Sequence, residues 1–235
     1  MTGQIHSIFF DYGGTLFEYY PSNAEIWAKI ANRLGTFIEA DDPRIREGMR
    51  AQSRELDKLD KDFRELTEDE VHHLNCVVLA VMGVEVEGSR EIVTAEFIAR
   101  EQGKMFQIYP DAAETLKQIK QKGIRIGLLS NVGRRMALSR RPSLEEYAIL
   151  RYFDAIILSA EVGFWKPEKR IFELALREIG TNNPGRAMHV GDSLKADVRG
   201  AANAGLVPVL FDPLDLHFSE NVIKIQALSE VLQYL

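Results

Sequence analysis

The stretch that decides the fold is IHSIFFDYGGTL, which runs from Ile5 to Leu16. In its first half, Ile5–Phe10, apolar residues run together rather than alternate, which is typical of a strand buried on both faces of a parallel sheet. Asp11 follows this run directly, and Gly13 and Gly14 allow a ligand to approach the backbone closely. The segment therefore predicts a buried strand whose carboxyl end carries a polar loop.

Later segments continue the pattern of this first strand. Apolar runs predict strands over Ile124–Leu129, Ala155–Leu158, Ala187–Val190 and Leu206–Leu210. Helical patterns separate them: Asp111–Lys122 begins with Asp111 as an N-cap and stops at Gly123, and Lys169–Ile179 carries apolar residues on one face. Alternating strands and helices predict an α/β protein with a parallel sheet covered on both faces.

A long insertion interrupts this alternation. From about residue 17 to residue 107 the pattern is helical, with four predicted helices and nothing strand-like that is obvious. The sequence thus predicts a core formed by residues 1–16 and 108–235 and a helical lobe formed by residues 17–107. Ligands of open parallel sheets bind outside the carboxyl ends of the strands. The lobe leaves from that end of the first strand, so we expect it to cover the site.

Composition bounds the class of protein. The 235 residues are 46% hydrophobic and 27% charged, which is ordinary for a soluble globular protein. The net charge of −6 argues against nucleic acid as a partner, because a polyanion needs a concentrated basic surface. No apolar run approaches the roughly 20 residues that span a bilayer, and the first residues lack a signal-peptide pattern. We expect a cytoplasmic protein that binds neither nucleic acid nor membrane.

The densest basic stretch contains Arg134, Arg135, Arg140 and Arg141. Arginines in a connecting segment usually form a solvated face, and that is the first expectation here. The alternative is a rim that attracts an anionic substrate.

Polar groups follow four of the predicted strands. They are Asp11 with the Gly13–Thr15 turn, Ser130 with Asn131, Lys166 with Pro167, and Asp192 with Ser193 and the later Asp197. Each group alone is weak, since an aspartate after a strand is often a turn residue and Ser-Asn is often a helix cap. All of them, however, lie where a parallel sheet brings its loops together. The coincidence favours one site.

The chemistry of these groups is mutually consistent. Asp11 is a candidate covalent nucleophile toward phosphorus or carbon. Asp11, Asp192 and Asp197 form an acidic pocket that suits Mg²⁺, which prefers oxygen ligands. Lys166 supplies positive charge for Asp11 and for a transferring phosphoryl group, and the Ser130 hydroxyl can donate a hydrogen bond.

In order and context these motifs resemble those of the haloacid dehalogenase superfamily, over nearly the whole chain. The resemblance is carried by FFDYGGTL at 9–16, LLSN at 128–131, GFWKPE at 163–168, HVGDS at 189–193 and DVRGA at 197–201. It implies a Rossmann-like core with a helical cap. It also implies a Mg²⁺-dependent hydrolase, most often a phosphatase that acts on a small phosphorylated molecule through an aspartyl-phosphate intermediate.

The resemblance also assigns roles to residues. Asp11 would attack the substrate, and Lys166 would orient the reacting groups and neutralise their negative charge. Ser130 would bind the phosphoryl group. Apart from the resemblance, Asn131, Thr15 and Gly14 are also expected to bind the substrate, with backbone N–H groups near Asn131 able to help. Magnesium would be held by Asp11, Asp192 and the backbone carbonyl of Gly13, with Asp197 acting directly or through water.

One position departs from the family pattern. Phosphatases of the superfamily carry a second aspartate, two residues after the nucleophile, as general acid and base, and here that residue is Gly13. Similar proteins with other chemistries differ at the same place, with tyrosine in dehalogenases, threonine in transport ATPases and alanine in phosphonatases. Glu18, or a carboxylate of the cap, is a candidate replacement for the acid.

Three functions therefore stay open. The leading one is phosphoester hydrolysis. Hydrolysis of a C–P or C–halogen bond is the second; phosphonatases need an imine-forming lysine, for which the lobe offers Lys29, Lys58 and Lys61 without a surrounding motif. The Gly-Asp-Ser context of Asp192 looks like a retained metal site and disfavours a dehalogenase. The third function is binding of a phosphate or metabolite without catalysis, and its basis is Gly13.

Overall fold

The computed structural model describes residues 4–59, 66–102, 106–217 and 222–235. The chain forms two compact units. The core unit comprises Met1–Glu18, Ile108–Pro213 and Ser219–Leu235, and the helical unit comprises Tyr19–Gln107 and Leu214–Phe218. No helix in the described ranges is long and apolar enough to cross a membrane.

A six-stranded parallel sheet forms the centre of the core unit, with the strand order β5-β4-β1-β6-β7-β8. In chain order the described strands are β1 (Ser7–Phe10), β2 (Phe17–Tyr19), β3 (Phe106–Ile108), β4 (Arg125–Ser130), β5 (Ala155–Leu158), β6 (Ala187–Gly191), β7 (Val207–Phe211) and β8 (Ile223–Ile225). The predicted α/β fold and its five predicted strands are confirmed. β8 and the separate β2–β3 pair were not predicted, because three residues are too few to show a strand period.

The register of the sheet brings the polar loops together. Phe10 of β1 lies opposite Leu128 of β4 and Val190 of β6, and Val190 lies opposite Val209 of β7. Every residue of β1 and β6 is buried, which explains why both strands are apolar without alternation. Since neighbouring strands run parallel, their carboxyl ends finish at one edge of the sheet. The loops that follow β1, β4 and β6 therefore meet there.

Helices and helical turns accompany this sheet. The described α-helices of the core unit are Ala112–Gln121, Arg134–Glu146, Ser159–Val162, Lys169–Glu178 and Gly200–Asn203. In Lys169–Glu178 the buried residues are Ile171, Phe172, Ala175 and Leu176, which share one face and pack with Phe9 of β1. The Asp111 side chain does not cap the first of these helices as predicted, because its Oδ2 accepts from the backbone N–H of Ser229 at 2.9 Å instead.

Four helices make up most of the helical unit. Their bounds are Asn23–Arg33, Pro43–Leu59, Glu68–Met82 and Ser89–Gln102. Ser22 with Glu25, and Thr67 with Glu70, form capping boxes that satisfy the first N–H groups of two of these helices. Fully buried side chains such as Ile30 fill the interior of the unit.

One segment of the helical unit comes from late in the chain. Residues 214–217 follow β7, yet Leu214 and Leu216 pack on the apolar interior of the helical unit. The guanidinium of Arg50 donates to the backbone carbonyl of Asp215 at 2.7 Å and to its carboxylate at 2.9 Å. No periodic pattern marks this excursion, so the sequence predicts the segment as part of the core.

Candidate active site

Asp11 lies in the loop that follows β1, at the carboxyl edge of the sheet. Its backbone N–H donates to the carbonyl of Val190 at 2.9 Å, which extends the β1–β6 pairing by one residue. The next residues turn sharply, because the N–H groups of Leu16 and Phe17 both return to the carbonyl of Tyr12. The turn leaves the Asp11 side chain partly exposed, with 14% of it accessible, and so within reach of a ligand.

Gly14 is required by the geometry of this turn. Its φ of +77° lies in the left-handed region, which a side chain makes unfavourable. A Cβ at this position would also lie 2.2 Å from Oδ2 of Asp192. Gly14 therefore makes room for the Asp192 carboxylate. Thr15, the other residue of this turn that was expected to bind substrate, is buried, with its Oγ1 3.5 Å from Oδ1 of Asp192.

Lys166 lies between two carboxylates. Its Nζ is 2.9 Å from Oδ1 of Asp11 and 2.5 Å from Oδ1 of Asp197, and only 1% of its side chain is exposed. Burial disfavours the charged ammonium, but the charges of Asp11 and Asp197 outweigh it and raise the pKa of Lys166. The lysine is therefore a fixed positive charge beside the candidate nucleophile.

Asp197 anchors that lysine from the opposite side. Its Oδ1 also accepts from Nε2 of His189 at 2.8 Å, and its Oδ2 accepts from the backbone N–H of Ser193 at 3.0 Å. Burial opposes the negative charge, yet Lys166 and His189 hold the pKa of Asp197 well below its usual range. Asp197 is thus ionised and fully bonded.

The acidic residues fit a magnesium ion. Asp11, Asp192 and Asp197 each offer an oxygen, and these oxygens lie within 4.8 Å of one another. Burial, with the charges of Asp197 and Asp11, raises the pKa of Asp192 well above its ordinary value. The cluster therefore holds more negative charge than Lys166 alone compensates. Oxygen donors in such a cluster suit a hard cation.

The loop after β4 positions the lysine as well. The side-chain amide of Asn131 donates to the backbone carbonyl of Lys166 at 2.8 Å, and its Oδ1 accepts from the Lys166 N–H at 2.8 Å. The side chain of Asn131 is therefore committed to the backbone of Lys166. Ser130 is buried at the end of β4, and its contact with a phosphoryl group stays a prediction.

Arg140 belongs to a cluster that sequence reasoning missed. The expected solvated basic face is wrong at this residue, which is only 6% exposed. Its guanidinium lies over the Tyr12 ring, 4.0 Å from the centroid, because a planar cation stacks well on an aromatic face. Tyr12 in turn stacks on Phe17 at 4.2 Å. Arg141 pairs with Glu161, and the side chains of Arg134 and Arg135 lie outside what the structure describes.

Two of the three lysines weighed for imine formation are paired. Nζ of Lys29 lies 2.7 Å from Glu96, and Nζ of Lys58 lies 2.7 Å from Glu55. Lys61 lies outside the described residues.

The sheet and the residues at its carboxyl edge define a class of protein. It is an α/β protein with a Rossmann-like sheet, and its site combines a candidate nucleophilic aspartate, a buried lysine and a cluster of acidic side chains. A model of the haloacid dehalogenase-like hydrolase family matches residues 5–205. The chain belongs to this family and is an enzyme of the hydrolase class.

Comparisons with individual proteins agree with this membership. The glyceraldehyde 3-phosphate phosphatase of Methanothermobacter thermautotrophicus is 30% identical over 210 residues, which cover 88% of this chain and 85% of the relative. The magnesium-bound hydrolase YfnB of Bacillus subtilis aligns with a TM-score of 0.64 at 17% identity, covering 99% of both chains. A 2-haloacid dehalogenase of Pseudomonas syringae aligns with a TM-score of 0.55 at 22% identity, covering 98% of this chain and 97% of that one. These two structural likenesses show the fold alone.

Proposed function

We propose that this enzyme is a Mg²⁺-dependent phosphatase that hydrolyses a small phosphate ester through a phosphorylated Asp11. The observation that carries the proposal is the buried ammonium of Lys166, 2.9 Å from Asp11 and 2.5 Å from Asp197. The phosphatase activity of the relative from Methanothermobacter supports it.

The charges explain why a cation is part of the proposal. A carboxylate nucleophile and a phosphate ester are both anionic and repel each other. Lys166 offsets part of that repulsion, but its single charge is already shared between Asp11 and Asp197. Magnesium, when bound by Asp11, Asp192 and the carbonyl of Gly13, would neutralise the remainder. Both oxygens of Asp197 accept hydrogen bonds from protein groups, so we assign it to Lys166 first and to the metal through water.

The reaction proceeds in two steps. A carboxylate oxygen of Asp11 attacks phosphorus, the P–O bond of the ester breaks, and its electrons leave with the alcohol oxygen, which takes up a proton. Water then attacks the phosphorus of the aspartyl phosphate, releases inorganic phosphate and restores the carboxylate. Lys166 and the hydroxyl of Ser130 would stabilise the charge on the phosphoryl oxygens in both steps.

The helical unit is proposed to act as a cap that selects the substrate. The chain enters it at the Glu18–Tyr19 boundary, leaves it at the Gln107–Ile108 boundary, and returns to it over Leu214–Phe218. We expect these boundaries to be hinges, as lids over active sites exclude water and complete the pocket. Solution scattering with and without phosphate and Mg²⁺ tests this, and an unchanged profile would argue against a moving cap.

The two alternative functions depend on particular residues of the chain. Hydrolysis of a C–P bond needs an imine-forming lysine, and the amines of Lys29 and Lys58 form ion pairs with Glu96 and Glu55 of the helical unit. Binding without catalysis rests on Gly13, which offers no proton donor. One experiment distinguishes the three functions. It measures phosphate release from a panel of phosphate esters and phosphonates, with Mg²⁺ and with excess chelator, and halide release from haloacids. Release from esters alone supports the phosphatase, release from phosphonates or haloacids alone supports the second function, and no release from any compound would argue against the proposed phosphatase.

The proposed role of Asp192 in binding Mg²⁺ can be tested by substitution. Asp192→Asn keeps the size of the side chain and removes its charge, so we expect Mg²⁺ affinity to fall by at least about 10-fold and activity to fall with it. Calorimetric titration with MgCl₂ measures the affinity. Asp154→Asn is the matched control, since Asp154 pairs with Lys120 at 2.8 Å instead. Undiminished activity of the natural chain in excess chelator would refute the metal.

A further inference from the structure

His189 is a buried imidazole that the proposed reaction does not use. It lies on β6, two residues before the loop that carries Asp192, and none of its surface is exposed. Its Nε2 is 2.8 Å from Oδ1 of Asp197, and its ring packs edge-on against Phe172 at 5.4 Å. Among the described residues, its buried Nδ1 has no hydrogen-bond partner.

This geometry selects one tautomer. With the proton on Nε2, the ring donates to Asp197 and leaves only an unpaired acceptor at Nδ1. With the proton on Nδ1, a buried donor would be unpaired and the Nε2 lone pair would face a carboxylate. An unpaired buried polar group costs about 1–3 kcal/mol, and the second arrangement adds electrostatic repulsion. Of the two neutral tautomers, His189 is therefore the Nε2–H form.

The consequence reaches Lys166 through Asp197. We propose that His189 is a positioning residue whose Nε2–H fixes the Asp197 carboxylate and thereby holds the Lys166 ammonium against Asp11. A lysine ends in a point charge on a flexible stem, so its position depends on its anchors. Asp197 is fitted closely: a side chain at Gly191 would place Cβ 2.1 Å from Cγ of Asp197. His189 and the Ser193 N–H hold its two oxygens.

The first test measures the tautomer without any substrate. Long-range ¹H–¹⁵N spectra of the natural chain labelled with ¹⁵N-histidine distinguish Nε2–H from Nδ1–H, and the signals missing in His189→Gln assign the residue. We expect the Nε2–H form. An Nδ1–H ring would overturn the proposal. This measurement does not depend on turnover, so it tests His189 even if the proposed phosphatase activity, on which the positioning role rests, is not found.

The second test compares two variants on p-nitrophenyl phosphate. His189→Leu removes the donor to Asp197, and we expect kcat to fall about 10- to 100-fold. His189→Gln can place an amide N–H where Nε2 lies and should restore most of kcat. Equal kcat in the natural chain and His189→Leu, or equal losses in both variants, would overturn the role. If His189→Leu does not fold, the proposal is decided by the tautomer that is measured in the natural chain.

Discussion

Asp11→Asn is expected to abolish turnover of every phosphate ester that the natural chain hydrolyses. An amide oxygen carries no negative charge and cannot form the aspartyl phosphate, so the loss should be on the order of 10⁴-fold or more, as for other nucleophiles. The fold should survive, because asparagine has the same size and Asp197 still pairs with Lys166 at 2.5 Å. Phosphate release and thermal melting measure the two effects.

The intermediate itself can be observed. Acid quenching of the natural chain during turnover, followed by mass spectrometry of the peptide that contains Asp11, should show the added phosphoryl group. Asp154→Asn serves as the matched control, since its carboxylate bonds Lys120 and the N–H of Ile126 rather than the site. Turnover near the natural level in Asp11→Asn, or a phosphoryl group on another residue, would remove Asp11 from the role of nucleophile.

Much of the site was predictable because it follows from strand order. Asp11, Ser130 and Asp192 each follow an apolar run, and parallel strands must end at one edge. What the sequence did not reveal depends on side chains that meet through loops. Asn131 is predicted to bind substrate through backbone N–H groups near it, and the bonds of its side chain to the backbone of Lys166 were not predicted. No spacing rule links a residue after β4 to the backbone of a distant loop.

Buried polar residues were the hardest to predict. His189 stands in an apolar strand, where the pattern predicts burial but not a partner, and its bond to Asp197 is made only by the turn after β6. Arg140 belongs to a charged stretch that predicts exposure, and its stacking on Tyr12 depends on how a helix packs over the first loop. Both contacts join residues that are distant in sequence. They override the preference of an arginine for water and of a buried strand position for an apolar side chain.

Gly13→Asp carries the second large expected effect. A positioned general acid or base is worth about 100- to 10,000-fold in rate, and glycine supplies neither. Aryl and acyl leaving groups depart as stable anions and need little protonation, whereas alkyl groups need it. The natural chain should therefore cleave aryl or acyl phosphates far better than alkyl phosphates. Since no aspartate at position 13 activates water for the second step, phosphorylated Asp11 should accumulate and give a burst followed by slow turnover.

The backbone should accept a side chain at this position. Gly13 forms a β-bridge with Phe17, which is an extended backbone that other residues also adopt. Its neighbour Gly14 has a φ of +77° and needs the conformational freedom of glycine. Gly13→Asn is the matched control, because it adds the same bulk and cannot exchange a proton. Gly13→Asp should raise steady turnover, chiefly on alkyl phosphates, while Gly13→Asn should not.

The decisive measurement is the steady-state rate on a paired aryl and alkyl phosphate for the natural chain, Gly13→Asp and Gly13→Asn. A burst that disappears in Gly13→Asp alone would assign the slow step to hydrolysis of the aspartyl phosphate, because only that variant gains a base. If the natural chain is already fast on the alkyl ester and Gly13→Asp slows it, another residue supplies the proton. Glu18, in β2 directly after the first loop, would then be the residue to change, and Glu18→Gln should lose the alkyl activity.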